Sequence, residues 1–185
     1  GMEGVRVIDN TQGQIIDFDD FLSRYPKRRG TANNFGSAKH SYTIDRLFDY
    51  FPGGFVLMDS DVLVKGDISE FFDASVIYAG ERHEYPSRGI RRPSRLLPFL
   101  CWINVPVCRQ LGINYFDGKR SWKLFGQKRN MYLYDTGASF LEDCNKAGQF
   151  GKAMKLSDYI IHLGSGSWRN NAAADWLEEH KQLYE

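Results

Sequence analysis

Cysteine is scarce in this chain: three in 185 residues, Cys101, Cys108 and Cys144, with no Cys-x-x-Cys pair. An odd count without ligand spacing argues against a disulfide framework and against a cysteine zinc site, and it fits a reducing compartment. Net charge is nearly absent as well, at +1, so the molecule as a whole does not steer a polyanion. With no nucleic-acid motif present, a nucleic-acid partner is not expected. The chain also lacks a signal-peptide pattern and a long apolar span, which makes the expected location cytoplasmic. Internal repeats and low-complexity tracts are missing too. What is there is ordinary globular composition, 42% hydrophobic and 25% charged, enough for a single domain spanning 1–185. Aromatics are plentiful at 15%; some belong in a core, and surplus Tyr and Trp commonly line sites for flat or sugar-like ligands.

Hydrophobic spacing and breakers divide the chain. Val5 to Ile8 is a short strand followed by turn residues. Ile15 to Tyr25 carries Phe18, Phe21 and Leu22 at helical spacing and stops at Pro26. Ala38 to Phe51 is a helix presenting Ile44, Leu47, Phe48 and Phe51 on one face, with Ser37 as its N-cap. Pro52-Gly53-Gly54 breaks it and turns into an apolar strand. Asp67 to Phe72 has the pattern of a short capped helix, and Val76 to Ala79 that of a strand. Met131 to Tyr134 is strand-like, Ala138 to Ala147 helical, Lys155 to Ile161 a last strand and Ala172 to Tyr184 a closing helix. Strand, helix, helix, strand points to an α/β sheet with parallel neighbours and crossover helices.

Residues 82–129 differ in character. They hold eleven Lys or Arg against two acids, Glu84 and Asp117, and four prolines. This segment is expected to be basic and loop-rich, with a strand around Cys101 to Val105. A solvated face is one reading of the charge; a flap over an anionic ligand, or a peripheral contact with an anionic membrane, is the other.

The most informative stretch is Gly54-Phe55-Val56-Leu57-Met58-Asp59-Ser60-Asp61. An apolar run bounded by glycine is a buried strand, and strand ends at a sheet rim are where ligands bind. In extended chain Asp59 and Asp61 share a face. Two carboxylates aimed at one spot repel unless a cation or a proton intervenes, and hard oxygen ligands suit Mg²⁺ or Mn²⁺. A calcium loop of the EF-hand type is rejected, because its fifth position is Leu63 and its glycine position is Val64. A phosphohydrolase of the haloacid dehalogenase type stays open: four apolar residues before Asp59-Ser60-Asp61-Val62 resemble that family's first motif, with Asp59 as nucleophile and Asp61 as general acid.

The stretch Leu57 to Phe71, taken with His162-Leu163-Gly164-Ser165-Gly166-Ser167-Trp168, resembles the GT-A fold glycosyltransferases of the galactosyltransferase and glycogenin group. That resemblance implies a GT-A-like, Rossmann-like α/β fold: a mixed, mainly parallel sheet flanked by helices, in one domain. It implies a metal-dependent enzyme moving a sugar from a nucleoside-diphosphate sugar, a UDP-sugar favoured, to a glycan or lipid-linked acceptor. Asp59, Asp61 and His162 would hold Mn²⁺ or Mg²⁺. Donor-binding candidates are Ser37, Lys39, His40, Asp59, Ser60, Asp61, Asn104, Gly164, Gly166, Ser167 and Trp168. Asp135, before a helix start, is the candidate general base if the reaction inverts. The family normally opens with a nucleotide-binding strand, helix and strand; here that unit is short, so an N-terminal truncation or a non-catalytic binding module is the remaining alternative.

Overall fold

The computed structural model describes residues 16–25, 35–85, 92–121, 124–125 and 132–162, together with 178 and 181. The expected strand at Val5 to Ile8 and nearly all of the closing helix lie outside them. Helix α1 (Phe18–Arg24) is capped by the Asp17 carboxylate, which accepts from the N–H groups of Asp19 and Asp20. Helix α2 (Phe35–Tyr50) starts three residues earlier than its apolar spacing indicates. Ser37 therefore lies inside the helix and is not its N-cap. The face built from Ala38, Ser41, Ile44 and Phe48 is buried.

Gly54 makes the entry to strand β1 (Phe55–Met58). Its φ is +112°, and a β-carbon there would collide with the Ile103 carbonyl and the Trp102 ring, so only glycine fits. Strand β2 (Val62–Val64) follows a two-residue turn. The expected capped helix after Asp67 is a single 3₁₀ turn, Ser69–Phe71. Asp67 bonds the Ser69 N–H and hydroxyl, closing a local turn in place of a longer helix. Strand β3 (Tyr78–His83) begins two residues later and runs four residues further than its apolar core.

Strand β4 (Arg95–Ile103) and helix α3 (Val105–Leu111) show that the basic segment is less loop-rich than its charges imply. Asn104 caps α3, Pro106 sits in its first turn, and Gly112 ends it in the left-handed conformation. Two-residue strands β5 (Leu124–Phe125) and β6 (Tyr132–Leu133) pair with each other. Helix α4 (Ala138–Lys146) falls where expected. The stretch read as one last strand is instead a 3₁₀ turn, Leu156–Asp158, followed by strand β8 (Ile160–His162); β7 (Lys152–Ala153) precedes both.

The main sheet has the order β1-β4-β3-β7. It is mixed and not mainly parallel: β4 runs antiparallel to both β1 and β3, and only β3 and β7 pair in parallel. β1, β3 and β7 thus share a direction, and β4 is inserted among them with the opposite sense. That insertion is invisible in the order of elements, because it depends on which strands meet. β4 is the central strand and is apolar on both faces. Leu96, Cys101 and Ile103 join a cluster with Ile44, Phe48, Phe140 and Leu141 from the helices. Leu97, Leu100 and Trp102 join another with Phe71, Met154 and Ile160. Each such fully buried side chain contributes about 1.5–3 kcal/mol. Pro98 is tolerated in this central strand because the β3–β4 ladder breaks register between Gly80 and Arg82, opposite it. A separate ladder pairs β2 with β8, Val62 against His162. No helix among the described residues is long and apolar enough to cross a membrane.

Candidate metal centre and its surroundings

Three side chains converge at the end of β1. Asp59 follows its last residue, and its N–H bonds the Phe99 carbonyl, extending the β1–β4 ladder by one step. Ser60 and Asp61 form the turn into β2. The β2–β8 ladder then brings His162 up beside that turn. One ligand atom from each of Asp59, Asp61 and His162 lies within 4.8 Å of the others. His162 Nε2 is 3.3 Å from Asp61 Oδ1, and the imidazole stacks on Phe99 with ring centres 3.8 Å apart and planes 18° from parallel. Phe99 thus fixes the ring while its backbone fixes Asp59.

The electrostatics fit a cation. Burial pushes the Asp59 carboxyl above its ordinary range; His40 opposes the rise and Asp61 adds to it. Two half-buried carboxylates side by side are stabilised by a positive ion between them. Two carboxylate oxygens and an imidazole nitrogen suit Mn²⁺, and equally other divalent ions of that borderline kind. The donor set therefore fits a metal without fixing its identity.

A second polar cluster stands beside the first, centred on Asp135. Its carboxylate accepts from the Ser37 hydroxyl at 2.7 Å, the Tyr85 hydroxyl at 3.1 Å and the Thr136 N–H at 2.8 Å. It also pairs with Arg95 Nη1 at 3.0 Å. Burial alone would raise this carboxyl, but Arg95 and the three hydrogen bonds outweigh it and hold it below the ordinary carboxylate range. Gly137, just beyond, has φ +82°, and a β-carbon there would run into the Leu96 carbonyl. This glycine lets the start of α4 press against β4, which brings Asp135 to Arg95. His40 links the two clusters, with Nε2 3.7 Å from Asp59 Oδ1. Burial holds its imidazole below its ordinary value, against the pull of Asp59 and of Asp135.

The residues singled out in the sequence thus separate. Asp59, Asp61 and His162 come together, His40 joins them, and Ser37 reaches the neighbouring cluster through Asp135. Ser60 lies exposed in the connecting turn. Lys39 turns away, its ammonium 4.1 Å from the centre of the Phe18 ring. Asn104 is buried and occupied: its amide donates to the Ala74 and Val76 carbonyls, and its oxygen accepts from Val107 N–H. That leaves the side chain as a structural cap with no exposed group for a donor. Gly164, Gly166, Ser167 and Trp168 lie outside the described residues. Sequence reasoning missed Arg95, Phe99 and Tyr85. Arg95 was one of eleven basic residues in its segment, and its place at the start of an apolar run was the available signal.

No protein-family model matches the chain, and neither a curated protein nor a solved structure shows significant similarity to it.

Proposed function

We propose that the chain is a metal-dependent glycosyltransferase with a GT-A-like fold, using a nucleoside-diphosphate sugar and a glycan or lipid-linked acceptor. The observation that carries this reading is the convergence of Asp59 and Asp61 with His162, a residue about a hundred positions away in sequence. A phosphohydrolase built on Asp59 and Asp61 gives His162 no role. Here the imidazole is held in place by Phe99 and by the β2–β8 ladder, beside Asp61.

Asp59, Asp61 and His162 would hold a divalent cation, and the chemistry it would supply when bound is to offset the charge that develops on a nucleoside diphosphate as the sugar departs. Around it the chain supplies a fixed polar frame. Phe99 orients His162 and leaves its Nε2 facing Asp61. Asp135, lowered in pKa and fully engaged, is a weak proton acceptor as it stands; in this frame it anchors Arg95, Tyr85 and Ser37. If the reaction inverts, Asp135 can take the acceptor proton only after one of those partners moves.

The test is calorimetric titration of the protein with UDP-sugars, with and without Mn²⁺. Binding of a sugar nucleotide that requires Mn²⁺ and is lost in Asp59→Ala supports the reading. No Mn²⁺-dependent binding of any common sugar nucleotide, or retention of it in Asp59→Ala, rejects it. Trapping of a phospho-aspartate mimic at Asp59 by beryllofluoride would transfer the site to the phosphohydrolase reading.

A further inference from the structure

A guanidinium stands beside the candidate metal centre, where a bare cation site has no use for one. Arg95 starts β4 and Phe99 lies further along the same strand. The guanidinium carbon is 6.0 Å from the centre of the Phe99 ring, and that ring stacks at 3.8 Å on His162. Its other flank meets Tyr85, 5.6 Å to the ring centre. Only 15% of the side chain is exposed, and Asp135 holds Nη1. The guanidinium has five N–H donors, and its Nε finds no partner among the described residues. The charge is therefore rigidly placed, because Asp135 is itself tied to Ser37 in α2, to Tyr85 just beyond β3 and to the Thr136 N–H.

Like charges in a half-buried setting repel. A fixed guanidinium lowers the affinity of the Asp59–Asp61–His162 group for a cation arriving alone. The same guanidinium raises affinity for a cation that arrives with an oxyanion, because phosphate oxygens can face the cation on one side and the planar N–H fork on the other. Binding of the two then becomes reciprocal: each improves the affinity of the other by the same factor.

We infer that Arg95, held by Asp135, makes this site selective for a divalent cation together with an oxyanion of the phosphate class, and weak for the cation alone. This rests on the metal-centre part of the proposed function and adds a residue and a binding order to it. Asp135 is a positioning residue in this scheme and Arg95 the group that meets the anion.

The experiment is calorimetric titration of Mn²⁺ into the full chain with and without saturating inorganic pyrophosphate. The variants are Arg95→Gln, Arg95→Lys and the double variant Arg95→Gln with Asp135→Asn. The double variant leaves no unpaired buried carboxylate, so it keeps the test open if the single variant unfolds. Pyrophosphate is expected to tighten Mn²⁺ binding about tenfold or more in the wild type. The double variant should reduce that factor to about twofold or less while Mn²⁺ alone binds equally well or better. Arg95→Lys keeps the charge and loses the fork, and should fall between the two. An unchanged pyrophosphate effect in the folded double variant overturns the inference and leaves the metal centre standing. No Mn²⁺ binding to the wild type under either condition overturns the metal centre itself. Coupling to pyrophosphate with no sugar nucleotide bound leaves Arg95 in its role and removes the glycosyltransferase reading.

Discussion

At the scale of single residues, crowded charge and forced backbone geometry set what each position tolerates. Asp59 is destabilised where it stands, because burial disfavours its charge and Asp61 adds repulsion against the pull of His40. Neutral replacement relieves this. Asp59→Asn is expected to raise the metal-free unfolding free energy by about 0.5–1 kcal/mol in urea titrations at neutral pH, while Mn²⁺ affinity collapses. Gly137→Ala has the opposite character. Its positive φ and the Leu96 carbonyl in the path of a β-carbon predict a loss of about 2–4 kcal/mol, read by the same titration. The chemistry-bearing residues were readable in sequence where their setting is local. Asp59 and Asp61 announce themselves as acids at the end of an apolar run, and His162 precedes a glycine-rich stretch. Arg95 and Phe99 were not readable, because their role comes from standing one strand away from β1, and that neighbour relation is set by pairing. Asn104 misled for a related reason. The resemblance put it among the donor-binding candidates, yet with Pro106 in the first turn and Gly112 at the far end it caps a helix.

At the scale of elements, the short β2–β8 ladder is the hinge between fold and site. It has three residue pairs and no place in the main sheet. An isolated two-stranded ladder of that length is marginal. A cation shared by the β1–β2 turn and the end of β8 would add a second tie across it. Saturating Mn²⁺ at about 100 times its dissociation constant is expected to stabilise the folded state by about 2.7 kcal/mol. The expected readouts are a higher Tm and slower hydrogen exchange at Leu63 and Ile161, both absent in His162→Ala. Equal stabilisation in that variant would place the ion elsewhere. Helical elements were the legible part of the fold. α2 and α4 carry periodic apolar faces, and α4 matches its reading almost to the residue. β7 and β8 were obscure because strands of two and three residues have too little sequence to show a period.

At the scale of the molecule, the sheet and the ion-pair clusters divide the work of stability. β4 is covered on both faces, and its amides are expected to be the last to exchange. A second polar hub, away from the candidate metal centre, ties α4 to the loop after α3: Arg120 bonds Asp117 at 2.7 Å, Glu142 at 2.8 Å and Asp143. Burial works against the charge of Asp117 and of Glu142, but Arg120 and nearby donors hold both below their ordinary range. Asp135 behaves likewise. Carboxyls lowered on folding contribute stability that is present above their unfolded pKa values, near 4. That stability is lost as pH falls through the folded values beneath. Tm should therefore drop steeply below about 4, after a smaller decline from about pH 6.5, where the buried His40 resists the proton that the unfolded chain takes up, with a shallower acid drop in Arg120→Met from an already lower plateau. The overall sheet order was the least legible feature, since β4 reverses direction between two strands that otherwise run together, and only long-range pairing decides that.

The central claim is that Asp59, Asp61 and His162 share one ion. The most direct measurement is anomalous diffraction from a crystal of the full chain soaked with Mn²⁺ and UDP. The expected result is one anomalous peak within about 2.0–2.4 Å of a carboxylate oxygen of Asp59, a carboxylate oxygen of Asp61 and a ring nitrogen of His162. A peak that leaves His162 unbound, or none between these three side chains, would contradict it.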